Sequence, residues 1–405
     1  MKKSILLIGN YPPPYGGVPR VIEDLVPYLI ENGWDVRVLS GGDGIVERKE
    51  GFTVYRLSRG KVKKLLDILR FLPKPIARRS SDFFRLLRST PSLHAMRCLV
   101  RAAYASRIIE ENGVCVVVGY NLYSGVPVGA MVSTVYDIPL IISSFGEIVN
   151  KQSFFLEHKG YVELVCRIAS VMTSMTRHCA DTYKILGISP QVEIVPVGVD
   201  TRRFNPDCDG SVIRDRLGIR SSDKVVLFVG RMVYDMGLHT LLDATADILA
   251  GRDDVSILIV GQEGDLSSSA RRRAEEHKDR VFVVADVPLD ELPLYYSAST
   301  ILVAPTTSDR ACGSLAVAEA MASGKPVIAT RVGGIPEFVS QGDTGFMIPP
   351  EQPAVLADLV LRLLADEELA RSMGERARLR SVKVFDVRKT NEMHERLFSR
   401  VAGLS

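Results

Sequence analysis

Short apolar runs bounded by glycine alternate along the chain with helix-length amphipathic stretches. The runs predicted to form strands are residues 5–9, 35–40, 114–119, 140–144 and 192–196 in the first half and 225–230, 256–261, 281–284, 301–305, 327–329 and 345–348 in the second. Near-continuous runs of Val, Ile and Leu separated by helices are typical of parallel sheets covered on both faces. The pattern therefore predicts an α/β protein whose ligands bind in the loops beyond the carboxyl ends of the strands.

The chain length and one polar stretch predict two domains. The 405 residues are about twice the size of a typical domain. Between residues 200 and 223 the sequence is polar and rich in turn residues, including Asn205-Pro206-Asp207 and Asp209-Gly210, as expected of a linker. We place the two domains at residues 1–200 and 201–386, and we expect a final helical segment at residues 387–405.

The composition is that of a globular protein. Hydrophobic residues make up 46% of the chain and charged residues 24%, which argues against disorder. The six cysteines are scattered without a Cys-x-x-Cys pair, so we expect reduced thiols and no zinc site. The apolar run after Met1-Lys2-Lys3 is too short for a signal peptide, and no run reaches the ~18 residues that span a bilayer. These features predict a cytoplasmic protein.

A strongly basic segment lies in the first half, within a predicted helical region at residues 59–110. Residues 59–107 contain thirteen Lys and Arg against two acids, a local net charge of +11, whereas the whole chain carries +3. Five apolar residues of the segment share one helical face: Val62, Leu65, Leu66, Leu69 and Leu72. Basic amphipathic helices suit an anionic membrane surface, which is the predicted partner. Helices packed on the domain with a solvated basic face are the alternative. Nucleic acid is not expected, because no recognised binding module is present.

Two strand-end turns are candidate phosphate sites. Gly16 and Gly17 precede a predicted helix, where backbone amides can approach a phosphate closely. Arg231 follows Gly230 at the end of a predicted strand, where its guanidinium can bind a diphosphate at two points. A plain strand-to-helix turn and a surface ion pair are the respective alternatives. The Gly-x-Gly-x-x-Gly fingerprint is absent at Gly16, which argues against a nicotinamide cofactor.

The most informative segment runs from Ala304 to Val339. A predicted strand is followed by a polar loop, and Cys312-Gly313-Ser314 then leads into a predicted helix, whose N-terminus is a natural seat for a diphosphate. Glu319 lies one to two turns into that helix, where a carboxylate can accept hydrogen bonds from ribose hydroxyls. Its sequence neighbours are small and apolar, which is unusual for a solvated surface acid. We therefore interpret Glu319 as functional.

These segments together resemble glycosyltransferase family 4, a family of retaining glycosyltransferases with the GT-B fold. The matching stretches are Gly16-Gly17-Val18-Pro19-Arg20-Val21, Ile194-Val195-Pro196-Val197-Gly198-Val199-Asp200, Val229-Gly230-Arg231, Ala318-Glu319-Ala320-Met321-Ala322-Ser323-Gly324-Lys325-Pro326-Val327-Ile328 and Gly333-Gly334-Ile335-Pro336-Glu337. They occur in the order of the family between Ile5 and about Val387. The run from Glu319 to Ile328 is the most specific of them.

The resemblance implies two Rossmann-like domains with parallel sheets facing each other across an interdomain cleft. The N-terminal domain would hold the acceptor, the C-terminal domain the nucleotide sugar, and the final helix would pack back on the N-terminal domain. It implies transfer of a sugar from a nucleotide-diphosphate sugar to a glycan or lipid-linked acceptor with retention of configuration, and it implies no metal and no cofactor. The donor-binding residues would be Gly16, Gly17, Gly230, Arg231, Gly313, Ser314, Leu315 and Glu319, with Glu319 on the ribose and Arg231 on the diphosphate.

Three positions depart from the family pattern. Met236 stands where the family usually has Lys, and Ala311 stands where an acid normally contacts the donor sugar. Phe145 replaces a common His. Asp309, Arg310 and Glu147 are the candidate substitutes for the missing groups, and the predicted catalytic residues are Arg231, Glu319 and Glu147. Two alternatives follow from these departures and from the fold: a non-catalytic GT-B subunit that binds a nucleotide sugar or a partner enzyme, and a GT-B nucleotide-sugar epimerase.

Overall fold

The computed structural model describes residues 3–12, 17–41, 45–57, 61–78 and 80–404. The chain forms two compact units. The first comprises Met1–Pro196 together with Thr390–Ser405, and the second comprises Val197–Lys389. The first unit is therefore built from two separate stretches of sequence.

The first unit contains an eight-stranded sheet. Its strands are β1 (Ser4–Ile8), β2 (Asp35–Ser40), β3 (Val46–Lys49), β4 (Phe52–Arg56), β5 (Val116–Tyr120), β6 (Leu140–Ser144), β7 (Val171–Ser174) and β8 (Glu193–Ile194). Their order in the sheet is β3-β4-β2-β1-β5-β6-β7-β8, and all neighbours are parallel except β3 and β4. The central strands β1, β5 and β6 are buried along their whole length, because helices cover both faces of the sheet.

Within the described residues of the first unit, helices α1 to α10 alternate with these strands. They are α1 (Gly17–Glu31), α2 (Lys61–Phe71), α3 (Pro73–Ala77), α4 (Ser81–Ser89), α5 (Ser92–Asn112), α6 (Val126–Tyr136), α7 (Glu147–Asn150), α8 (Gln152–Glu157), α9 (Lys159–Ile168) and α10 (Arg177–Asp181). A single π-helical turn (Asn121–Gly125) precedes α6, and a 3-10 turn (Thr182–Leu186) follows α10. The basic segment of the sequence is thus carried by α2 to α5.

The second unit contains a six-stranded parallel sheet. Its strands are β9 (Lys224–Val229), β10 (Val255–Gly261), β11 (Val281–Ala285), β12 (Ile301–Ala304), β13 (Val327–Thr330) and β14 (Gly345–Ile348). Their order is β11-β10-β9-β12-β13-β14. The helices are α11 (Ser211–Leu217), α12 (Leu238–Gly251), α13 (Ser267–Glu276), α14 (Leu292–Ala298), α15 (Leu315–Ala322), α16 (Pro353–Ala365) and α17 (Glu367–Val384). Since all neighbouring strands are parallel, the loops that follow them leave the same edge of the sheet.

The last helix, α18 (Val387–Val401), completes the core of the first unit. Leu397 and Phe398 are buried in one cluster with Trp34, and the rings of Phe398 and Trp34 meet edge to face with centroids 6.5 Å apart. The Nδ2 atom of Asn391 donates a hydrogen bond to the carbonyl oxygen of Asp24, 2.9 Å away. His394 is also buried on this helix.

The parallel α/β architecture predicted from the apolar runs is confirmed, but three strands were not predicted. Strands β3 and β4 form an antiparallel pair, and three of the four residues of β3 are exposed, so an apolar run does not mark it. Strand β7 has four residues, two of them Thr173 and Ser174, and this polarity hides it. Among the described residues, no helix is long and apolar enough to cross a membrane.

Candidate functional site

The loops after neighbouring strands of the second unit converge at one edge of its sheet. The loops that carry the predicted donor-binding residues follow β9 and β12, which pair directly with each other. Thr307 joins the two loops: its backbone N–H donates to the carbonyl oxygen of Asp235 at 3.2 Å, and its Oγ1 donates to that of Tyr234 at 3.2 Å. The segment after Arg231 and the segment before Gly313 are therefore held as one surface.

Gly237 allows these two loops to approach closely. Its φ is +73°, and a Cβ atom at this position would lie 1.7 Å from the carbonyl oxygen of Pro305, at the end of β12. Neither the conformation nor the distance tolerates a side chain. Gly237 precedes α12, so it fixes where this helix begins relative to the neighbouring strand.

The loop after β13 closes the other side of the same surface. The backbone N–H of Gly334 donates to the carbonyl oxygen of Ala311 at 2.8 Å. Gly333 has φ +54°, and a Cβ atom there would lie 2.1 Å from that carbonyl oxygen. The Gly333-Gly334 pair therefore supports the loop that leads to Gly313 and Ser314.

Arg231 lies on this surface with its charge available. The residue is exposed, and within the described part of the chain its guanidinium has no ion pair. The surface ion pair considered from the sequence is therefore wrong for this arginine. An unpaired guanidinium at the carboxyl edge of a parallel sheet is suited to a bound anion, because no carboxylate has to be displaced.

Met236 occupies the position where the resemblance to glycosyltransferase family 4 implies a lysine. The side chain is half-buried and packs against the core of the second unit, and its Cε lies 3.0 Å from where a Cβ of Gly230 would stand. An apolar group thus covers the backbone at Gly230. At this position the packing contact of Met236 stands in place of the lysine cation that the resemblance implies.

Helix α15 brings two predicted site residues together. Ser314 is its N-cap, since its Oγ accepts a hydrogen bond from the backbone N–H of Val317 at 3.3 Å. Glu319 lies in the second turn and is half-buried, and its Oε2 accepts a hydrogen bond from the hydroxyl of Tyr296 at 2.8 Å. Burial and the Glu319 carboxylate hold the pKa of Tyr296 well above its usual range, so this phenol remains a donor.

Lys325 connects the two helices that carry Tyr296 and Glu319. It follows α15, and its Nζ donates to the carbonyl oxygens of Ser299 at 2.7 Å and Ser297 at 3.1 Å, at the end of α14. Cations at a helix C-terminus satisfy carbonyls that have no partner within the helix. Desolvation by burial, with a smaller contribution from Arg214, lowers the pKa of Lys325 to about 8. Tyr296 of α14 thus contacts α15, and Lys325, which follows α15, contacts the end of α14.

The remaining predicted residues lie in the first unit. Glu147 begins α7, and its Oε2 accepts a hydrogen bond from the backbone N–H of Phe145 at 2.9 Å. Its Oε1 is buried and has no hydrogen-bond partner among the described residues, and desolvation raises the pKa of Glu147 to about 7. Gly17 begins α1, and no described residue lies within 4 Å of where its Cβ atom would stand, so packing against the described residues does not require glycine. Gly16 lies outside the described residues.

The second unit is similar to a known family of proteins. Residues 210–380 match the family model of Glycosyl transferases group 1. D-inositol 3-phosphate glycosyltransferase of Corynebacterium glutamicum is 34% identical over 196 residues, which cover 46% of this chain and 46% of that protein. The chain therefore aligns with about half the length of this relative.

Solved structures match over the whole length. Sucrose-phosphate synthase from Thermosynechococcus elongatus has a TM-score of 0.74 with 22% identity and covers 100% of both chains. The Anabaena protein HepE in complex with UDP has a TM-score of 0.75 with 19% identity and covers 98% of this chain and 100% of that one. The chain has the GT-B fold. Residues 210–380 form its glycosyl transferases group 1 domain.

Two residues of the GT-B second unit were missed by the sequence analysis. Tyr296 lies in an apolar run of α14, where an aromatic residue is expected in the core, and nothing local marks its hydroxyl. Lys325 belongs to the quoted motif but received no role. A lysine between an apolar predicted helix and an apolar predicted strand is a detectable signal, because a lysine that packs there needs partners for its charge.

Proposed function

We propose that this GT-B protein is a retaining glycosyltransferase of family 4 that uses a nucleotide-diphosphate sugar. The observation that carries the proposal is the half-buried Glu319, oriented by Tyr296 on a helix whose N-terminus is capped by Ser314. A carboxylate in this position accepts ribose hydroxyls, while helix amides near Gly313 and Leu315 face a diphosphate. The group 1 domain at residues 210–380 supports the same assignment.

The chemistry assigned to Arg231 follows from the charge that develops during transfer. The acceptor oxygen forms a bond to the anomeric carbon, the bond from that carbon to the diphosphate breaks, and the acceptor proton leaves with the nucleotide diphosphate. Negative charge therefore builds on the leaving diphosphate. Arg231 and the amides at the start of α15 stabilise this charge, and fixed donors of this kind supply a large share of catalysis.

Glu147 is the residue proposed to act from the first unit. With a pKa raised to about 7, its carboxyl group exists in both protonation states near neutral pH. A carboxyl group poised in this way can hold or release a proton. Gly16 and Gly17 are proposed to contact the donor through backbone amides, since no described residue lies within 4 Å of where a Cβ atom of Gly17 would stand.

The partners are proposed from the relatives and from the basic segment. HepE is described as a complex with UDP, so a uridine diphosphate sugar is the first donor to test. One relative is named for D-inositol 3-phosphate, but the acceptor we propose here is a glycan or a lipid-linked molecule. We place the enzyme on the cytoplasmic face of a membrane, associated peripherally through residues 59–107.

A second candidate function is supported by Met236. An apolar side chain covers the backbone at Gly230, where the family resemblance implies a cation. Loss of a cation from the donor site would suit a subunit that binds a nucleotide sugar without turnover. Nucleotide release separates the two functions. Purified protein is supplied with candidate donors and a membrane extract as acceptor, and release of nucleotide supports the transferase. Donor binding without release from any donor supports the subunit.

The donor site is tested by calorimetry with UDP. Arg231→Ala and Glu319→Gln each remove one charged contact, which is worth roughly 1.5–3 kcal/mol or about 10- to 150-fold in affinity. Arg272→Ala and Glu275→Gln are matched controls, because both residues are exposed on α13 away from the strand-end loops. Unchanged UDP affinity in both site variants, with both folded, would remove the site assignment.

A further inference from the structure

Helix α2 carries apolar side chains on the side that faces solvent. Leu65, Leu66 and Leu69 have relative exposures of 57%, 60% and 58%. Residues 65 and 69 are one turn apart and residue 66 adjoins them, so the three leucines share one face of the helix. Three exposed leucines on one face are unusual for a helix packed on a water-soluble domain, because such a helix normally presents polar residues outward.

The same helix also has an apolar face directed inward. Phe71 is buried, and Ile68 packs against the core of the first unit together with Leu72, which directly follows the helix. The sequence placed Leu72 on one face with Val62, Leu65, Leu66 and Leu69. This is wrong for Leu72, which packs inward while the three leucines of α2 are exposed. The side chain of Val62 lies outside the described ones. The outward leucines are therefore not needed to hold α2 on the domain.

The neighbouring helices repeat this exposure. On α5, Leu93 and Met96 are 70% and 54% exposed, while Leu99 on the same helix is buried. On α3 and α4, Ile76 and Phe84 are exposed as well. Large exposed apolar side chains in the described part of the first unit are thus concentrated in the basic segment. Such concentrations mark binding surfaces for proteins or membranes.

The charge of the segment distinguishes a membrane-binding surface from a protein-binding one. Several cations of the segment are already engaged: Arg70 and Lys74 pair with Glu110, Arg85 with Asp82 and Arg107 with Asp67. Arg88 and Arg97 are exposed and have no ion pair among the described residues. The sequence adds Lys61, Lys63 and Lys64 in the first turn of α2. Exposed leucines in a segment with a net positive charge are complementary to an anionic lipid surface.

We propose that the first unit docks on an anionic bilayer by inserting the outer face of α2, formed by Leu65, Leu66 and Leu69. The leucines enter the boundary between headgroups and acyl chains, and the flanking cations contact lipid phosphates. This extends the proposed membrane association from an electrostatic contact to a defined inserted face, and it rests on that part of the proposed function. It does not depend on donor binding, so the two are tested separately.

Vesicle flotation tests the inserted face. The wild-type chain should bind vesicles containing phosphatidylglycerol and bind phosphatidylcholine vesicles much more weakly. The triple variant Leu65→Ser, Leu66→Ser, Leu69→Ser should bind phosphatidylglycerol vesicles at least about tenfold more weakly, because three apolar side chains no longer leave water. The matched control is Val212→Ser, Val355→Ser, Leu379→Ser, which changes three exposed apolar residues of the second unit. Its binding should equal that of the wild type.

The charged residues are tested on the same vesicles. Lys61→Gln, Lys63→Gln and Lys64→Gln should each weaken binding about fivefold, since a cation near an anionic surface contributes about 1 kcal/mol. Added salt should weaken wild-type binding, whereas the triple lysine variant should respond less to salt. In the Leu66→Trp variant, brominated acyl chains should quench the fluorescence of the introduced indole. A purely electrostatic contact would keep the indole away from the acyl chains and would not quench its fluorescence.

Three results would overturn the proposal. Unchanged phosphatidylglycerol binding by the leucine variant would remove the inserted face. A concentration-dependent increase in mass without vesicles, abolished by the same variant, would assign the face to a second copy of the chain. Equal binding to duplex DNA and to vesicles would indicate that the basic segment binds nucleic acid and not lipid. UDP affinity is measured in parallel and should be unchanged in the leucine variant, so loss of docking and loss of donor binding are distinguishable.

Discussion

Two buried titratable residues of the first unit should give opposite contributions to its stability as the pH falls. Burial lowers the pKa of His394 from 6.5 to about 4, and burial raises the pKa of Glu147 from 4.5 to about 7. Below pH 6.5 the unfolded chain binds a proton at His394 that the folded unit does not, so stability is lost as the pH falls. Below pH 7 the folded unit binds a proton at Glu147 before the unfolded chain does, so stability is gained.

The two contributions nearly offset each other in the wild type. Between pH 7 and pH 5 the linkage relation gives a loss of about 2 kcal/mol from His394 and a gain of about 2 kcal/mol from Glu147. Glu147→Gln should therefore make the first unit more acid-sensitive by about 2 kcal/mol. His394→Leu should shift its stability in the opposite direction by a similar amount.

The only tryptophan of the chain makes this measurable. Trp34 is buried in the first unit and contacts Phe398 on the helix that carries His394. Urea unfolding followed by tryptophan emission at pH 5 and pH 7 therefore reports the first unit, even when the second unfolds separately. His277→Leu is the control, because this histidine belongs to the second unit. If His394→Leu left the pH dependence of the Trp34 transition unchanged, the assignment of acid sensitivity to His394 would fail.

Two further predictions concern the donor site. Tyr296→Phe keeps the buried ring but removes the hydrogen bond to the Glu319 carboxylate, so UDP affinity should fall about tenfold. The neighbouring Tyr295→Phe is the control and should leave UDP affinity within about twofold. Equal effects of the two variants in calorimetry would contradict a positioning role for Tyr296. Met236→Lys should leave the rate of nucleotide release similar or higher, since it adds a cation near the diphosphate. Ala311→Glu should change the ratio of kcat/KM between donor sugars. Abolished nucleotide release in Met236→Lys, with an unchanged ratio in Ala311→Glu, would contradict these roles.

The sequence predicts the parallel α/β fold because buried parallel strands consist of nearly unbroken apolar residues. It predicts Glu319 for a related reason, since a carboxylate among small apolar neighbours is conspicuous. It does not predict Tyr296 or Lys325, because a hydrogen bond between two helices depends on how their axes pack and not on spacing along one chain segment. It also does not predict the orientation of α2, since this helix has apolar residues on two sides and periodicity alone does not say which side faces the core.

The divided first unit has a consequence for how the protein is made. Leu397 and Phe398, which close the cluster around Trp34, leave the ribosome only after the whole second unit has been synthesised. At ~5–20 residues per second this delay lasts roughly 10–40 s. During that interval the nascent first unit exposes the apolar groove that later receives α18. A nascent chain in this state is a target for chaperones that bind apolar surface, and the second unit has time to fold before the first is complete.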